Sequence, residues 1–428
     1  MIHWRFLVFL CLFILSAKAQ IIVTEVNYNS DSTTNSGNWF EIYNVSNSPV
    51  NLSNWQATDL SGSFFTFPSV TLAPDRYLVL SDDTALFHVM YPQVTNVIGP
   101  LPFGLNNNSD AITLLDDNGS TIFTMIYHDS LPFPKGCDNY GRTMEKRTYA
   151  ADPNNGFNWF DGCMGGSPGR VYTPCDDPIV FSEINFNSGT LYPAGDWVEL
   201  KNRTAAPIDI SDWRIRDDKD TNEYRIPTGT ILPAGGYMVI CGDTQAFRFM
   251  YPSVQNFRGP LGFGFGKGGD VIRLYHPEST DGQLQFSVVY DDTISWPLEA
   301  DGGDKTLELL SETGIMDDGN NWFAGCLGGS PGQAYNAACT LTVINELSAR
   351  DIGLHVILLS GRPLIRWNDS GEYNNVTISV RNLSGQLLQS MKTNDNSLLM
   401  RENPPSGMYL VEWSNGISRT LLKWVNHY

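Results

Sequence analysis

Asn38-Trp39-Phe40-Glu41-Ile42-Tyr43-Asn44 and Asp196-Trp197-Val198-Glu199-Leu200-Lys201-Asn202 are one segment written twice. Each alternates as a strand does: Phe40 and Ile42, or Val198 and Leu200, point to one side, and Trp39, Glu41 and Tyr43, or Trp197, Glu199 and Lys201, point to the other. The aliphatic side belongs in a core between sheets. The Trp/Glu side is either a solvated sheet surface or is covered by a loop. Moving outward, Ile22 to Asn29 is answered by Val180 to Asn187, Val50 to Trp55 by Ile208 to Trp213, Tyr77 to Leu80 by Tyr237 to Ile240, and Trp159 to Gly169 by Trp322 to Gly332. The order never changes, and the offset drifts only from 158 at Glu25/Glu183 to 163 at Trp159/Trp322. A tandem duplication with small loop insertions follows, each unit being large enough to hold its own core.

The rest of the composition agrees. With 39 Gly, 24 Pro and 12% aromatic residues, the chain reads as short strands joined by frequent turns, with no long helix. Residues 1–19 place Arg5 before the apolar run Phe6 to Leu15, followed by Ala17-Lys18-Ala19. This is the pattern of a signal peptide cleaved after Ala19, with Ala17 and Ala19 as the small residues that the peptidase requires; an uncleaved anchor is the other reading. The formal charge of -19 becomes more negative once Arg5 and Lys18 leave. Such a surface repels phosphate backbones and anionic lipid, so neither nucleic acid nor a membrane surface is expected as a partner, whereas a cation such as calcium is compatible with it; no membrane span is expected in the mature chain.

Six cysteines remain after Cys11 leaves with the leader. Cys163 and Cys175 flank Gly165-Gly166-Ser167-Pro168-Gly169 as Cys326 and Cys339 flank Gly328-Gly329-Ser330-Pro331-Gly332, so two local disulfides are expected in an exported chain. Cys137 and Cys241 have no counterpart in the other unit, and their pairing stays open. No CxxC pair occurs and the histidines are scattered, which argues against zinc.

The succession Ser182-Glu183-Ile184-Asn185, Trp197-Val198-Glu199-Leu200, Ile210-Ser211-Asp212-Trp213, Gly269-Asp270-Val271-Ile272 and Gly329-Ser330-Pro331-Gly332, with its first-unit counterparts, resembles the lamin-tail domain. The resemblance implies two immunoglobulin-like β-sandwiches, at 20–175 and 176–339, in an all-β chain. The remaining segment, 340–428, reads as a small β-sandwich-like domain. Val380 to Leu388 and Pro405 to Trp413, the latter with Ser406-Gly407-Met408-Tyr409 opening a strand, resemble the C-terminal sorting domain of type IX secretion, the outer-membrane export route of Bacteroidetes. That resemblance implies the type IX export machinery as a partner and a secreted or outer-surface location. A third β-domain retained in the mature protein is the alternative.

Candidate chemistry is sparse. Glu25 with Glu41, and Glu183 with Glu199, are carboxylates expected on neighbouring strands. They suit general acid/base work such as glycoside hydrolysis, or they fasten a corner of the sandwich by accepting hydrogen bonds. Their presence in both units favours fastening, because a duplicated scaffold keeps its fastenings. Asp116-Asp117-Asn118-Gly119, Asp217-Asp218-Lys219-Asp220 and Asp317-Asp318-Gly319 are acidic turns. None has the spacing of an EF-hand; hairpin turns in solvent are the first reading, and Asp217 and Asp218 are the calcium candidates. Phe64-Phe65-Thr66-Phe67 and Phe263-Gly264-Phe265 lie near turns, where rings either pack in the core or meet a sugar or protein. No catalytic residue or cofactor site is indicated. The expectation is a non-catalytic exported binding, adhesion or structural protein, whose partner is a protein or carbohydrate at the cell surface. The alternatives are an accessory module of a secreted hydrolase or nuclease and, after it, a hydrolase using the Glu25/Glu41 and Glu183/Glu199 pairs.

Overall fold

The computed structural model describes residues 20–189, 192–293, 295–336, 345–346, 352–359, 362–368, 376–382, 386–415 and 418–426. The leader with Ala17 and Ala19, together with Cys339 and the Ser384-Gly385 turn, lies outside the described residues. The chain forms two compact units. One is built on the residues up to Asp177 with Val271–Tyr290 and Thr313–Asn321; the other comprises Pro178–Asp270, Asp291–Glu312 and Trp322–Tyr428.

Short β-branched and aromatic runs between turn residues give the first unit two sheets. The larger orders Trp159–Met164, Arg142–Lys146, Ile21–Asn27, Trp39–Asn44, Tyr77–Ser81 and Val97–Ile98; the smaller orders Thr121–His128, Ser109–Leu115, Gln56–Thr58 and Phe64–Thr66. Alternation decides what lies between them. Val23, Phe40, Ile42, Leu78 and Leu80 from the larger sheet meet Ala57, Ile112, Leu114, Phe123 and Met125 from the smaller in one core. Each of these side chains larger than alanine contributes about 1.5–3 kcal/mol by leaving water. The all-β, immunoglobulin-like sandwich expected from the sequence is therefore the observed architecture.

In the second unit a six-stranded sheet runs Phe257–Arg258, Tyr237–Cys241, Trp197–Asn202, Ile179–Asn185, Lys305–Leu309 and Trp322–Leu327. It matches the larger sheet of the first unit strand for strand. The C-terminal segment adds a five-stranded sheet, which includes Val376–Asn382, Gly407–Ser414 and Ser418–Asn426, and a three-stranded sheet. Their core holds Ile365, Trp367, Ile378, Val411 and Trp413. The two α-helices among the described residues are seven residues each, Thr84–Met90 and Thr244–Met250, and are capped by Asp83 and Asp243, whose carboxylates each accept two backbone N–H bonds. Helices this short do not persist alone; burial of Phe87 and Phe247 holds them in place.

One expectation is corrected. Asp317-Asp318 does not form a solvated hairpin turn. Asp317 is buried and its carboxylate lies 3.1 Å from Arg142 Nε, itself buried; it also accepts the Val289 N–H at 2.7 Å. Arg142 donates further to the carbonyls of Gly162 and Ser287. Sequence shows an acidic turn, but an arginine that needs a buried counter-charge decides its fate. Replacing Asp317 by Ala should cost about 3–5 kcal/mol, because Arg142 keeps its buried charge, loses its ion-pair partner and is left only the neighbouring Asp161 carboxyl, whose charged form burial disfavours. Replacing Asp318, paired with the exposed Arg147, should cost under about 1 kcal/mol. Chemical unfolding monitored by tryptophan fluorescence separates the two, and equal losses would contradict this account.

Candidate functional site

The Trp/Glu side of the central strand is covered and dry. Trp39, Phe40, Glu41 and Ile42 are all buried, as are Trp197, Val198, Glu199 and Leu200, so the solvated alternative for this face is excluded. Three structures cover it in sequence along the strand. Trp39 lies under the short helix, edge-on to Phe87 and Tyr91. Glu41 lies under the Gly165–Gly169 strap. At the far end Tyr43 stacks with Tyr77 and Tyr149.

Register places Glu25 directly opposite Glu41 on one side and opposite Glu145 on the other. In the second copy Glu183 stands opposite Glu199 and Glu308. Each sheet therefore carries three carboxyls in a row on one face, all buried. The pairs Glu25/Glu41 and Glu183/Glu199 are neighbours as the sequence suggested. Glu145 and Glu308 were not singled out, although Thr143-Met144-Glu145 and Thr306-Leu307-Glu308 repeat at the same offset as the closing segment.

The strap is held by these groups. Glu25 Oε1 accepts from Thr143 Oγ1 at 2.6 Å and from the Ser167 backbone N–H at 2.9 Å. Glu41 accepts from Thr24 Oγ1 and from the Gly169 N–H at 2.6 Å. Glu145 accepts from Ser167 Oγ at 2.9 Å. The second copy repeats every strap bond: Thr306 and the Ser330 N–H bond Glu183, the Gly332 N–H bonds Glu199, and Ser330 Oγ bonds Glu308. Tyr91 and Tyr251 reach from the helix end to the first strap carbonyls, Gly165 and Gly328, at 2.7 Å. The strap must contain glycine. Gly166 and Gly329 have φ of +71° and +72°, and a Cβ on either would fall 2.1 or 2.0 Å from Glu25 or Glu183 Oε1.

Burial governs the protonation of the row. Removal from water, followed by the neighbouring carboxyls Glu145 and Glu41, pushes Glu25 well above the ordinary carboxylate range, and Glu183 is raised by the same causes. Burial pushes Glu41 and Glu199 up to about 8, against the strap bonds that favour the charged form, and Glu145 up to about 7. Glu25 Oε2, Glu145 Oε1 and Glu183 Oε2 are buried and accept nothing from a donor group. A proton carried within the row answers that cost, since one carboxyl can then donate to the next.

The other expected sites fall as follows. Cys163 and Cys175 are bonded to each other across the strap. Cys326 is disulfide-bonded, while Cys339 lies outside the described residues. Cys137 and Cys241 are free, buried thiols. Asp217 and Asp218 come together with Asp270, but Asp217 already accepts from the Lys219 N–H and Asn222 Nδ2, and Asp270 from the Gly266 N–H. Phe67 and Phe265 are core residues, and Phe64 is 51% exposed.

The lamin tail domain family model matches residues 15–129 and 175–292, more than half of the chain. The chain belongs to the lamin tail domain family. Both matched stretches contain the Trp-x-Glu strand of a lamin tail repeat. No curated protein matches the sequence. Among solved structures, the chicken CNTN1 FN1–FN3 domains share 8% identity, with 96% of this chain and 99% of that one covered at a TM-score of 0.16. A DUF4876 family protein from Bacteroides thetaiotaomicron shares 9% over 67% of this chain and 90% of its own, with a TM-score of 0.22. The exo-chitosanase CsxA of Amycolatopsis orientalis shares 11%, 63% of this chain matching 26% of that enzyme, with a TM-score of 0.16. Likenesses this weak carry no argument about function.

The lamin tail rows predict an inverted pH dependence. Folded Glu41 and Glu199 hold protons up to about pH 8, and Glu145 up to about pH 7, whereas the unfolded chain releases them near about 4.3. Their contribution is fully present below that value and is lost as pH rises towards 8. Lys146, lowered to about 8 by burial, acts with the opposite sign above pH 8, so the clean window is pH 5 to 8. The melting temperature should fall across it, and Glu41→Gln with Glu199→Gln should flatten the slope while costing no more than about 1–3 kcal/mol. A melting temperature that rises from pH 5 to 8 would contradict a protonated row.

Proposed function

We propose that this lamin tail protein is an exported, non-catalytic binding or adhesion protein of the cell surface or extracellular medium. The supporting observation is that Glu25, Glu41, Glu183 and Glu199, the carboxyls the sequence offers for catalysis, are each at most 2% exposed and hold the straps. A glycosidase pair must flank its substrate with one carboxyl ionised and the other protonated. Here the space above the carboxyls is filled by backbone of the same chain. The terminal segment is read as a sorting domain. In support, Ser406-Gly407-Met408-Tyr409 opens the strand Gly407–Ser414, which lies inside the five-stranded sheet, and Leu387, Leu388 and Met391 are exposed.

Purified mature protein is expected to turn over none of a panel of nuclease, phosphatase and glycosidase substrates. Robust turnover abolished by Glu199→Gln, with the melting curve retained, would overturn the binding reading. In an exporting host, mass spectrometry of the extracellular protein should find residues 340–428 removed; accumulation of a periplasmic form retaining Tyr428 contradicts the sorting reading.

A further inference from the structure

The two lamin tail repeats differ at one edge of the sandwich. In the first repeat a groove of about 440 Å³ runs between Phe65, Thr66 and Pro68 on one side and Val97, Ile98 and Gly99 on the other, with Thr84 and His88 of the short helix at its end. Both walls are sheet edges. Phe64–Thr66 pairs with Gln56–Thr58 and is the last strand of the smaller sheet, and Val97–Ile98 pairs with Tyr77–Ser81 and is the last strand of the larger. Among the described residues no further strand pairs with either.

The corresponding place in the second repeat is charged. Thr66, His88 and Ile98 correspond to Arg225, Arg248 and Arg258. The Arg248 guanidinium lies 5.3 Å over the Phe257 ring, and Arg258 donates to the Phe257 carbonyl. The edge hairpin is studded with charge, Arg216 pairing with Glu223 at 2.6 Å and Arg214 and Arg225 lying near the same carboxylate. Charges of this kind keep an edge strand from pairing with another chain. The first repeat has Gln56, Thr58, Phe64 and Thr66 at the matching positions, so its edge lacks that protection and presents an exposed phenylalanine.

We infer that the groove of the first repeat binds an extended peptide of a partner protein, which adds a strand to Phe64–Thr66 and lays an arginine or lysine side chain between Phe65 and Ile98. The second repeat carries arginines, Arg225, Arg248 and Arg258, at three of the positions that line this space in the first. The charge argument agrees: the chain carries -19, Asp83 caps the helix that closes the groove, and a cationic strand is attracted where an acidic one is repelled. Main-chain hydrogen bonds to an open edge give such a complex its affinity, and the groove gives it side-chain selectivity.

The inference names a partner class for the binding reading and rests on it, yet the two fail separately: enzymatic turnover would remove the binding reading, whereas the experiment below tests the groove. A displayed random heptapeptide library is selected on the full chain, with counter-selection on the triple variant Thr66→Arg, His88→Arg and Ile98→Arg. All three replacements stand at these positions in the second repeat, and circular dichroism checks the fold; the single exposed substitution Thr66→Arg serves should the triple variant not fold. Enriched peptides should combine Arg or Lys with β-branched or aromatic residues, and as synthetic peptides they should bind the variant about tenfold more weakly. Methylating alternate backbone nitrogens should also cost about tenfold, because it removes the ladder donors. Enrichment that does not distinguish native chain from variant, enrichment of acidic peptides, or indifference to backbone methylation would overturn the inference.

Discussion

Three carboxyls removed from water under a loop of the same chain are the constraint on which each lamin tail sandwich depends. Ionised, Glu25, Glu41 and Glu145 would repel one another across adjacent strands at large desolvation cost. The strap of Gly165 to Gly169 answers that cost with backbone N–H groups and the Ser167 hydroxyl, and the row's own protons answer the rest. In return the carboxyls fix a loop that would otherwise lie free over the sheet, and the Cys163–Cys175 disulfide closes the chain on either side of it. Gly166 and Gly329 follow from the same arrangement, since there the backbone approaches the carboxylates too closely to carry a Cβ.

The duplication separates what the fold needs from what it tolerates. Tryptophan under the helix, glutamate under the strap and tyrosine latching the strap carbonyl are the same in both copies. Two residues further along the strand, at the next side chain on the same face, the solutions part. Tyr43, Tyr77 and Tyr149 form an aromatic cluster in the first copy, with the Tyr77 and Tyr149 hydroxyls 2.9 Å apart, whereas Lys201 in the second lies over Tyr237 and pairs with Glu312 at 2.9 Å. Both cover the end of the sheet, by ring stacking in one case and by a cation with its partner in the other. The edge differs more sharply, from an uncharged strip in the first copy to one bearing arginines in the second, and a difference of that kind bears on recognition rather than on folding.

Much of this was legible in the sequence because the chain is written twice. Repetition marked the strands, their alternation and the Glu25/Glu41 and Glu183/Glu199 pairs, and it isolated Cys163 and Cys175 as partners. What sequence could not show was the cover. Gly169 reaches Glu41 across 128 residues, so no local pattern distinguishes a solvated Trp/Glu face from a buried one. Glu145 escaped notice because a glutamate after Thr-Met is unremarkable until register places it beside Glu25. Asp317 looked like a solvated turn residue because its partner, Arg142, is remote in sequence. The calcium candidates Asp217 and Asp218 do converge with Asp270, but backbone and amide donors already engage Asp217 and Asp270.

The central claim is that the glutamate rows are protonated and structural. Carboxyl-carbon NMR of the folded protein, labelled at glutamate and assigned with Glu41→Gln and Glu199→Gln, tests it most directly. Glu41 and Glu199 should titrate near pH 8, and Glu25 and Glu183 should remain protonated above the ordinary carboxylate range. Titration of all four near about 4.3, the value of a solvated glutamate, would contradict the account.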